Sequence, residues 1–528
     1  MRLAALDLGS NSFHLLVVEA RLDGSFVPLA REREMLRLGD RVARDGELGS
    51  EAIAAAVDVV RRMKAVADAQ RADEVVALGT AALREARDGV ELADRIREAT
   101  GIEIEVVDGL REAELVFRAV RSSVLIEPAP ALAADLGGGS LELMVGDRSG
   151  LAFAASLRLG VGRLTAELVH TDPLSRRDLA RLHERVAAEL APAMRGEIAD
   201  LAPKLLVGSS GTFLSLARMA IAERDGQLPD ALNQLTVPSA AFEALGRRLA
   251  GTTADDRQRM PGCDVRRAEL VPAGLVVLEE LFAASGLDEL TLSEWALREG
   301  AVLEAIGAHD RAELGDDPRA LRRFSVLSLC RRCNWRPRHA RQVAAVAVEL
   351  FDALSDRHGL GPDDRELLEL GALLHDIGEH VARTGHDRHS AYLIENGGLR
   401  GFSPDEIKIL SVLARYHIRG TPKASFGAFG GLSRPDRLRA TGLTALLRLA
   451  DALDASHAAR VEHCEIRSAG DALELAVAAR GDAELEQWMF WRKKDLFERH
   501  FGVELRLRLD EHGSHVIDLL HEDASGLA

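Results

Sequence analysis

The sequence predicts an α/β protein that continues into a helical region and ends in a small α+β segment. Apolar strands alternate with amphipathic helices up to about residue 307, an order typical of α/β layers. Residues 320–455 then contain successive amphipathic helices, and short strands return from about 460. A chain of 528 residues exceeds one hydrophobic core. We therefore predict four domains, over residues 1–125, 126–307, 308–457 and 458–528.

The strands and helices of the first region follow one another closely along the chain. Residues 2–8 form a predicted buried strand, and residues 13–20 form a second strand after a turn. Residues 51–70 have helical periodicity with a charged outer face. The later predicted elements are a strand and turn (75–80), a helix closed by Gly101 (91–101), a strand (102–109), a helix (111–120), a hairpin (131–146), and a strand, turn and helix (205–220).

Composition excludes several classes of function. The net charge of −17 argues against a general nucleic-acid-binding protein, and 4% aromatic residues leave little for base stacking. No apolar run reaches the roughly 18–20 residues of a membrane helix, and the N-terminus lacks a signal-peptide pattern. Four cysteines make no disulfide framework, and the Cys330–Cys333 pair is interpreted as incidental helix thiols. These features predict a cytoplasmic protein with no nucleic-acid or membrane partner.

Three glycine-rich turns, each after an apolar strand, are candidate phosphate-binding sites. Such turns present backbone N–H groups to an anion, because glycine allows a close approach. The phrase Asp-Leu-Gly-x-x-Ser occurs twice, at residues 7–12 and 135–140, which indicates equivalent elements of two related lobes. The predicted phosphate-binding residues of the turns are Ser10, Asn11, Ser12, Gly137, Gly138, Gly139, Ser140, Gly208, Ser209, Ser210, Gly211 and Thr212.

Acidic residues beside these turns suggest a bridging cation. Asp7 and Asp135 end the two strands, and Mg²⁺ binds carboxylates together with phosphate oxygens. Glu142 follows Ser140 on the outgoing strand, where it either faces solvent or returns to Asp135. Glu112 lies in a first helical turn, either as an acid that complements the helix dipole or as a general base for water. Asp7, Asp135 and Glu142 are thus the predicted Mg²⁺ ligands.

Several segments in register resemble the exopolyphosphatase/guanosine pentaphosphate phosphatase family. They are "DLGSNSFHLLV", "ALGTAALREA", "DLGGGSLELMVG", "GSSGTF" and the stretch from Leu270 to Gly300, and they span residues 1–307 in order. The helical region is similar to the third domain of longer members. The resemblance implies two actin-like lobes (ASKHA, ribonuclease H-like) and Mg²⁺-dependent removal of terminal phosphate from inorganic polyphosphate or guanosine pentaphosphate (pppGpp). It also implies a homodimer.

The resemblance carries roles over to individual residues. Glu112 falls on the family's catalytic glutamate, and Asp135 and Glu142 fall on its metal-binding and water-activating acids. Arg84 falls on a phosphate-binding arginine. Arg111 departs from the family pattern, since many members have an acid there, and this change bears on substrate preference.

The helical region contains a second pattern, in the order His339, His375-Asp376 and Asp451. This quartet resembles the HD phosphohydrolase family, and imidazole with carboxylate suits a divalent transition metal. His386, His389 and His417 are candidate ligands of a second ion. Histidines that cap or fill a helical bundle are the alternative interpretation.

Two basic segments are candidate tracks for a polyanion. Residues 490–501 form an amphipathic basic helix, for which packing between domains is the favoured interpretation. The second is an arginine cluster, for which a solvated charged face is the alternative; its members are Arg319, Arg322, Arg323, Arg331, Arg332, Arg336 and Arg338.

The resulting functional hypothesis is an exopolyphosphatase in which water attacks terminal phosphorus in the cleft between the lobes. Glu112 acts as the base, Mg²⁺ on Asp135 and Glu142 neutralises developing charge, and the turns with Arg84 hold the phosphate chain. A pppGpp phosphatase with the same chemistry is the close alternative. An ATP-dependent kinase of the same superfold and a non-catalytic sensor are more distant alternatives.

Overall fold

The computed structural model describes residues 1–21, 24–229, 231–309 and 320–511. Its packing divides the chain into two compact units. The first unit comprises Met1–Phe324 with Arg400–Pro404, and the second comprises Ser325–Leu399 with the chain from Asp405 onward. The predicted boundaries after residues 125, 307 and 457 stay predictions.

The first unit begins with a sheet that, within the described residues, has five strands in the order β3-β2-β1-β4-β5. Its strands are β1 (Arg2–Leu8), β2 (Ser12–Ala20), β3 (Phe26–Met35), β4 (Glu74–Gly79) and β5 (Ile104–Val106). Its helices are α1 (Leu38–Asp45), α2 (Ser50–Ala69), α3 (Ala81–Glu85), α4 (Gly89–Thr100) and α5 (Gly109–Ser123). Ile53 and Val60 on the apolar face of α2 pack with Leu6 and Phe13 of the sheet. This burial of apolar surface fixes β1 and its carboxyl end in the core.

A second sheet follows, with six strands among the described residues in the order β10-β11-β9-β6-β7-β8. Its strands are β6 (Ala131–Leu136), β7 (Leu141–Gly146), β8 (Leu151–Leu157), β9 (Leu205–Ser209), β10 (Thr236–Pro238) and β11 (Glu289–Leu292). Its helices are α6 (Val161–Leu168), α7 (Arg176–Arg195), α8 (Glu197–Leu201), α9 (Ser210–Asp225), α10 (Ser239–Leu249), α11 (Ala254–Gln258), α12 (Val271–Ser285) and α13 (Leu297–His309).

The two sheets share the same local topology around the repeated phrase. In the first, β1 pairs antiparallel with β2 and parallel with β4. In the second, β6 pairs antiparallel with β7 and parallel with β9. Helix α13 returns to the first sheet, where Val302 and Ile306 pack against Leu3 and Leu16. The repeated sequence thus marks two equivalent elements, and the predicted α/β class is confirmed.

The second unit is mainly helical and ends in a small sheet. Its helices, two of which begin at residues of the first unit, are α14 (Ala320–Arg332), α15 (Pro337–Ala353), α16 (Ser355–His358), α17 (Pro362–Leu374), α18 (His386–Asn396), α19 (Pro404–Tyr416), α20 (Gly427–Gly430), α21 (Arg434–Ala452), α22 (Glu484–Lys493) and α23 (Asp495–Phe501). The sheet has the order β12-β13-β14, formed by β12 (Val461–Ala469), β13 (Ala472–Ala479) and β14 (Glu504–Glu511).

Hydrophobicity along the helices bears on membrane insertion. Over the described ranges, no helix has both the length and the apolar character that crossing a bilayer requires.

Candidate functional site

The two copies of the repeated turn meet in the first unit. β1 and β6 end at Leu8 and Leu136, and each strand leads into its glycine-containing turn. A Cβ atom on Gly139 would lie 2.8 Å from the Ser10 hydroxyl oxygen, so the turns approach as closely as glycine permits. Residues of both turns line a cavity of about 420 Å³. The predicted cleft between the two glycine-containing turns is therefore present as a single cavity.

Four carboxylates lie beside these turns. Asp7 and Asp135 occupy corresponding positions near the ends of β1 and β6, and both line the cavity. Glu142 lies directly opposite Asp135 in the β6–β7 register, so the hairpin returns it towards Asp135 rather than to solvent. Glu112 is buried in the first turn of α5 and also lines the cavity. The arrangement gathers four carboxyl groups beside the cavity that both turns line.

Burial and mutual repulsion change the acidity of this cluster. Desolvation, opposed by Arg298 and reinforced by Asp135, raises the pKa of Asp7 to about 7. Desolvation and then the charge of Asp135 raise the pKa of Glu142 to about 7. Burial, and after it the charge of Glu142, raises the pKa of Glu112 well above its ordinary value. A cation bound among these groups would relieve the repulsion.

The acid cluster fits a magnesium ion. Glu142 accepts a hydrogen bond from the Ser156 hydroxyl at 2.8 Å through Oε1. Its Oε2 is buried and has no hydrogen-bond partner among the described residues, although such atoms are normally paired. Hard oxygen ligands beside a phosphate cradle are the donor set that Mg²⁺ prefers. Asp7, Asp135 and Glu142 are the residues that would hold the ion.

The third turn supports the acid cluster. At the end of β9, the Ser209 hydroxyl donates a hydrogen bond to Asp135 Oδ1 at 2.7 Å. Ser210 and Gly211 line the cavity, with Ser210 in the left-handed region at φ 85°. Gly208 and Thr212 flank this lining segment. Ser209 therefore orients a carboxylate, while Ser210 and Gly211 face the cavity.

Arg84 contacts one of the acids, Glu112. Its Nη1 donates to the Val107 carbonyl at 2.6 Å and lies 3.5 Å from Glu112 Oε2. Arg84 is outside the residues that line the cavity. In this structure the predicted phosphate ligand therefore fixes Glu112, and its phosphate role stays a prediction.

Sequence patterns missed several cationic residues of the cleft. Arg33, Arg267 and Arg298 all line the cavity. Arg267 donates to the Thr212 hydroxyl at 3.2 Å, and its Nε is buried without a hydrogen-bond partner in the described part of the chain. Burial and the neighbouring Arg33 lower the pKa of Arg267 to about 10, so it stays cationic near neutral pH. These arginines add positive charge to the cavity lining, which suits an anionic ligand.

His14 is a further unpredicted residue of the first turn. Its Nε2 lies 2.7 Å from the Ser12 hydroxyl oxygen, and the ring lines the cavity. Burial and then the charges of Arg298 and Arg33 lower its pKa to about 2. A neutral imidazole therefore fixes the predicted phosphate-binding hydroxyl of Ser12.

Comparison with known proteins identifies the family. Residues 17–309 match the model of the Ppx/GppA phosphatase family, and residues 321–489 match its domain III. The chain belongs to the Ppx/GppA phosphatase family. The family match confirms the resemblance deduced from the sequence and the prediction of a phosphoric anhydride hydrolase.

Individual Ppx/GppA relatives cover different parts of the chain. Exopolyphosphatase 1 of Mycobacterium leprae is 34% identical over 306 residues, which are 58% of this chain and 90% of that protein. The guanosine-5'-triphosphate,3'-diphosphate pyrophosphatase of Aeromonas hydrophila subsp. hydrophila is 29% identical over 420 residues, 78% of this chain and 79% of the relative. A crystal structure of an exopolyphosphatase from Cytophaga hutchinsonii aligns with TM-score 0.55 and 30% identity, covering 58% of this chain and 98% of the solved chain.

The second unit of this Ppx/GppA protein brings the predicted histidine and aspartate residues together. His339, His375 and Asp376 have ligand atoms within 4.8 Å of one another, and Asp451 lies within 3.8 Å of both histidines. Asp376 also groups with two other histidines, His386 and His417. His389 belongs to neither of these groups.

Burial and the neighbouring carboxylates shift the pKa values of these imidazoles in opposite directions. Burial lowers the pKa of His339, but its hydrogen bonds to Asp451 and Asp454 raise the net value to about 9. In the same way, burial lowers the pKa of His386 and the neighbouring Asp376 carboxylate raises it, to a net value of about 9. Burial lowers the pKa of His375 to about 4. Without a bound cation, His339 and His386 are therefore protonated near neutral pH, whereas His375 is neutral.

The arginine cluster contributes less to a polyanion track than the sequence suggests. Arg322 is buried, and its Nε donates to the Gly401 carbonyl at 2.7 Å. In the second unit, Arg336 pairs with Glu379 at 3.0 Å, and Arg338 donates to the Ala458 carbonyl at 2.8 Å. Arg332 donates to a backbone carbonyl as well. Arg319 lies outside the described residues.

The basic segment 490–501 packs within the second unit. Phe490 and Phe497 are fully buried, and α22 and α23 both contact α21. Lys493 is buried and pairs with Asp451. The favoured packing interpretation agrees with these contacts.

Cys330 lies in α14, and Cys333 directly follows that helix. Both are free, buried thiols, which agrees with the interpretation of the pair as incidental helix thiols.

Proposed function

We propose that this chain is an exopolyphosphatase that releases terminal orthophosphate from inorganic polyphosphate by Mg²⁺-assisted attack of water. The proposal rests on one observation: the acid cluster lies beside glycine-containing turns that come from the two sheets and line the same cavity. Asp7, Asp135, Glu142 and Glu112 supply the acids, and Arg267 adds a cation to the lining of the same cavity. This combination suits a chain of phosphates rather than a neutral substrate.

Within this proposal, each residue has a chemical task. The raised pKa of Glu112 makes it a stronger base than an ordinary glutamate, so it takes a proton from the attacking water. The turns at 9–12 and 137–140 hold phosphate oxygens through backbone N–H groups. Asp7, Asp135 and Glu142 would hold Mg²⁺, which would supply charge neutralisation on the phosphate oxygens. Arg84 and Ser209 position Glu112 and Asp135.

The similarity to curated relatives favours polyphosphate as the substrate. The exopolyphosphatase of Mycobacterium leprae matches over 90% of its own length. The pppGpp phosphatase hypothesis also has support, because the Aeromonas hydrophila relative aligns over 420 residues, beyond the first unit. Both reactions break a terminal phosphoanhydride bond with the same catalytic groups.

A direct comparison of the two substrates tests this choice. Purified full-length chain is assayed with polyphosphate and with pppGpp under matched Mg²⁺, and orthophosphate release gives kcat/KM for each. We expect a higher kcat/KM with polyphosphate and loss of both activities after chelation of Mg²⁺. A higher kcat/KM with pppGpp would reject polyphosphate as the preferred substrate, while the family assignment would stand.

We also propose that the helices of the second unit form an HD-type domain, that the protein acts in the cytoplasm, and that it forms a homodimer. The order of His339, His375, Asp376 and Asp451 and their convergence support the HD-type interpretation.

Light scattering coupled to gel filtration tests the dimer, for which a mass near 114 kDa is expected from twice the 57.1 kDa chain. A mass of one chain would reject it.

A further inference from the structure

The second unit contains a compact cluster of imidazoles and carboxylates that the proposed hydrolysis does not use. In its first part, the Nε2 atoms of His339 and His375 are 3.3 Å apart. Asp376 Oδ2 lies 3.7 and 3.6 Å from these two nitrogens. Asp451 Oδ1 lies 3.6 and 3.8 Å from the same nitrogens. Four potential ligand atoms thus surround one point.

The second part of the cluster uses the other oxygen of Asp376. The Nε2 atoms of His386 and His417 are 3.2 Å apart, and they lie 3.1 and 3.3 Å from Asp376 Oδ1. This oxygen is buried, yet it has no hydrogen bond of acceptable geometry within the described ranges. A buried carboxylate oxygen without a hydrogen bond is costly unless a cation compensates it.

The outer nitrogen of every ring in the cluster is already bonded. Each Nδ1 faces an oxygen acceptor at hydrogen-bond distance, so Nδ1 keeps its proton and Nε2 is the nitrogen that faces inward, where a metal ion would displace any proton that it carries. The partners are the Ala372 carbonyl for His375, the Ala414 carbonyl for His417, the Arg383 carbonyl for His386 and Asp454 Oδ2 for His339, at 2.7, 2.7, 2.9 and 2.7 Å. Hydrogen bonds of this kind fix the orientation of imidazole rings that bind metal ions in proteins.

The spacing of the inner atoms matches a metal coordination shell. Imidazole nitrogens and carboxylate oxygens bind divalent transition metals at about 2.0–2.2 Å. Neighbouring ligands of a tetrahedral or octahedral ion then lie roughly 3.0–3.5 Å apart. The two Nε2–Nε2 distances of 3.3 and 3.2 Å fall in this interval, whereas two facing lone pairs at that distance repel each other.

A buried lysine binds only one of the two carboxylate oxygens of Asp451. Lys493 of α22 donates to Asp451 Oδ2, and both side chains are buried. The opposite oxygen, Oδ1, is the one that faces His339 and His375. Helix α22 therefore orients a ligand through Lys493, in the same way that Asp454 orients His339.

We propose that the second unit binds two divalent transition-metal cations, with Asp376 bridging them through its two carboxylate oxygens. The first ion is bound by His339, His375, Asp376 and Asp451, and the second by Asp376, His386 and His417. The imidazole-rich ligand set selects transition metals over Mg²⁺, which distinguishes this centre from the all-carboxylate cleft. The inference is independent of the proposed hydrolysis, because none of these residues lines the cleft.

Metal stoichiometry of the full-length chain tests the proposal. The protein is stripped with chelator, reloaded with Co²⁺ in excess Mg²⁺ so that the carboxylate cleft stays filled with Mg²⁺, and freed of unbound metal by gel filtration. Elemental analysis then gives Co²⁺ per chain, and the visible spectrum reports its ligands. We expect about two Co²⁺ per chain. One ion or fewer per chain would overturn the dinuclear centre. The close approach of the imidazoles would then be explained by a proton shared within each pair.

Matched variants locate the two ions. H386Q removes a ligand of the second ion alone and is expected to leave one Co²⁺, whereas D376N removes the bridge and leaves fewer than one. H389Q changes a neighbouring histidine outside the cluster and keeps two. Retention of two Co²⁺ by folded H386Q or D376N, judged by circular dichroism, would contradict the assignment. Paramagnetic coupling between two Mn²⁺ ions, measured by electron paramagnetic resonance, gives a readout on the wild type that needs no variant.

Discussion

Replacement of Glu112 by glutamine should abolish most turnover while the protein still binds polyphosphate. The change removes the proton acceptor but keeps the shape of the side chain and its place in the first turn of α5. A positioned general base contributes roughly a hundred- to ten-thousand-fold in rate. The expected loss in kcat is therefore of that order, which corresponds to about 3–5 kcal/mol of transition-state stabilisation.

The structure also predicts that this variant is not destabilised. Burial and Glu142 raise the pKa of Glu112, and a carboxyl with a raised pKa in the folded state lowers stability as pH increases through that value. For Glu142, whose pKa rises from 4.5 to about 7, such a shift amounts to ~3 kcal/mol. A neutral glutamine relieves this repulsion, so the melting temperature of E112Q at pH 8 should equal or exceed that of wild type.

The assay measures orthophosphate release across pH, with binding measured separately by calorimetry. Wild-type kcat should rise as pH increases through the raised pKa of Glu112, because only the ionised form accepts a proton. E114Q is the matched control, since Glu114 is an exposed neighbour on the same helix and should leave kcat unchanged. Near-normal kcat in E112Q, with intact folding, would refute the role of Glu112 as base.

Two further substitutions probe the cleft. R267A removes a cation that lines the cavity and should raise KM for polyphosphate about 10- to 100-fold. R266A, at the exposed neighbouring residue, is the control and should leave KM unchanged. Equal KM values for both variants would contradict the role of Arg267. G139A places a Cβ 2.8 Å from the Ser10 hydroxyl oxygen and should impair turnover, whereas G150A meets no atom within 4 Å and should behave as wild type. Full activity in G139A would show that the two turns need no such close approach.

Local sequence patterns were sufficient to predict the strands and turns that form the cleft. The apolar runs before Asp7 and Asp135 and the glycines after them define strand and turn within a few residues. The same locality predicted the cross-strand position of Glu142, because a tight hairpin fixes which residues face each other. Helix α2 followed from its apolar periodicity alone.

Contacts distant in the sequence could not be predicted in this way. Arg267 reaches the third turn from a position 55 residues after Thr212, and no local pattern marks it as a cleft residue. β3 is an edge strand with many charged residues, so its alternation is weak and the sequence analysis did not identify it. The strand predicted over 102–109 is limited to Ile104–Val106, because it pairs only with the end of β4.

The position of solvent oxygen in the products tests the central claim most directly. Polyphosphate is hydrolysed in ¹⁸O-labelled water with Mg²⁺, and the orthophosphate and the remaining chain are separated and analysed by mass spectrometry. Attack of water on the terminal phosphorus in the cleft predicts one labelled oxygen in each released orthophosphate and none in the shortened chain. Label in the shortened chain, or release of fragments longer than orthophosphate, would contradict the proposed reaction.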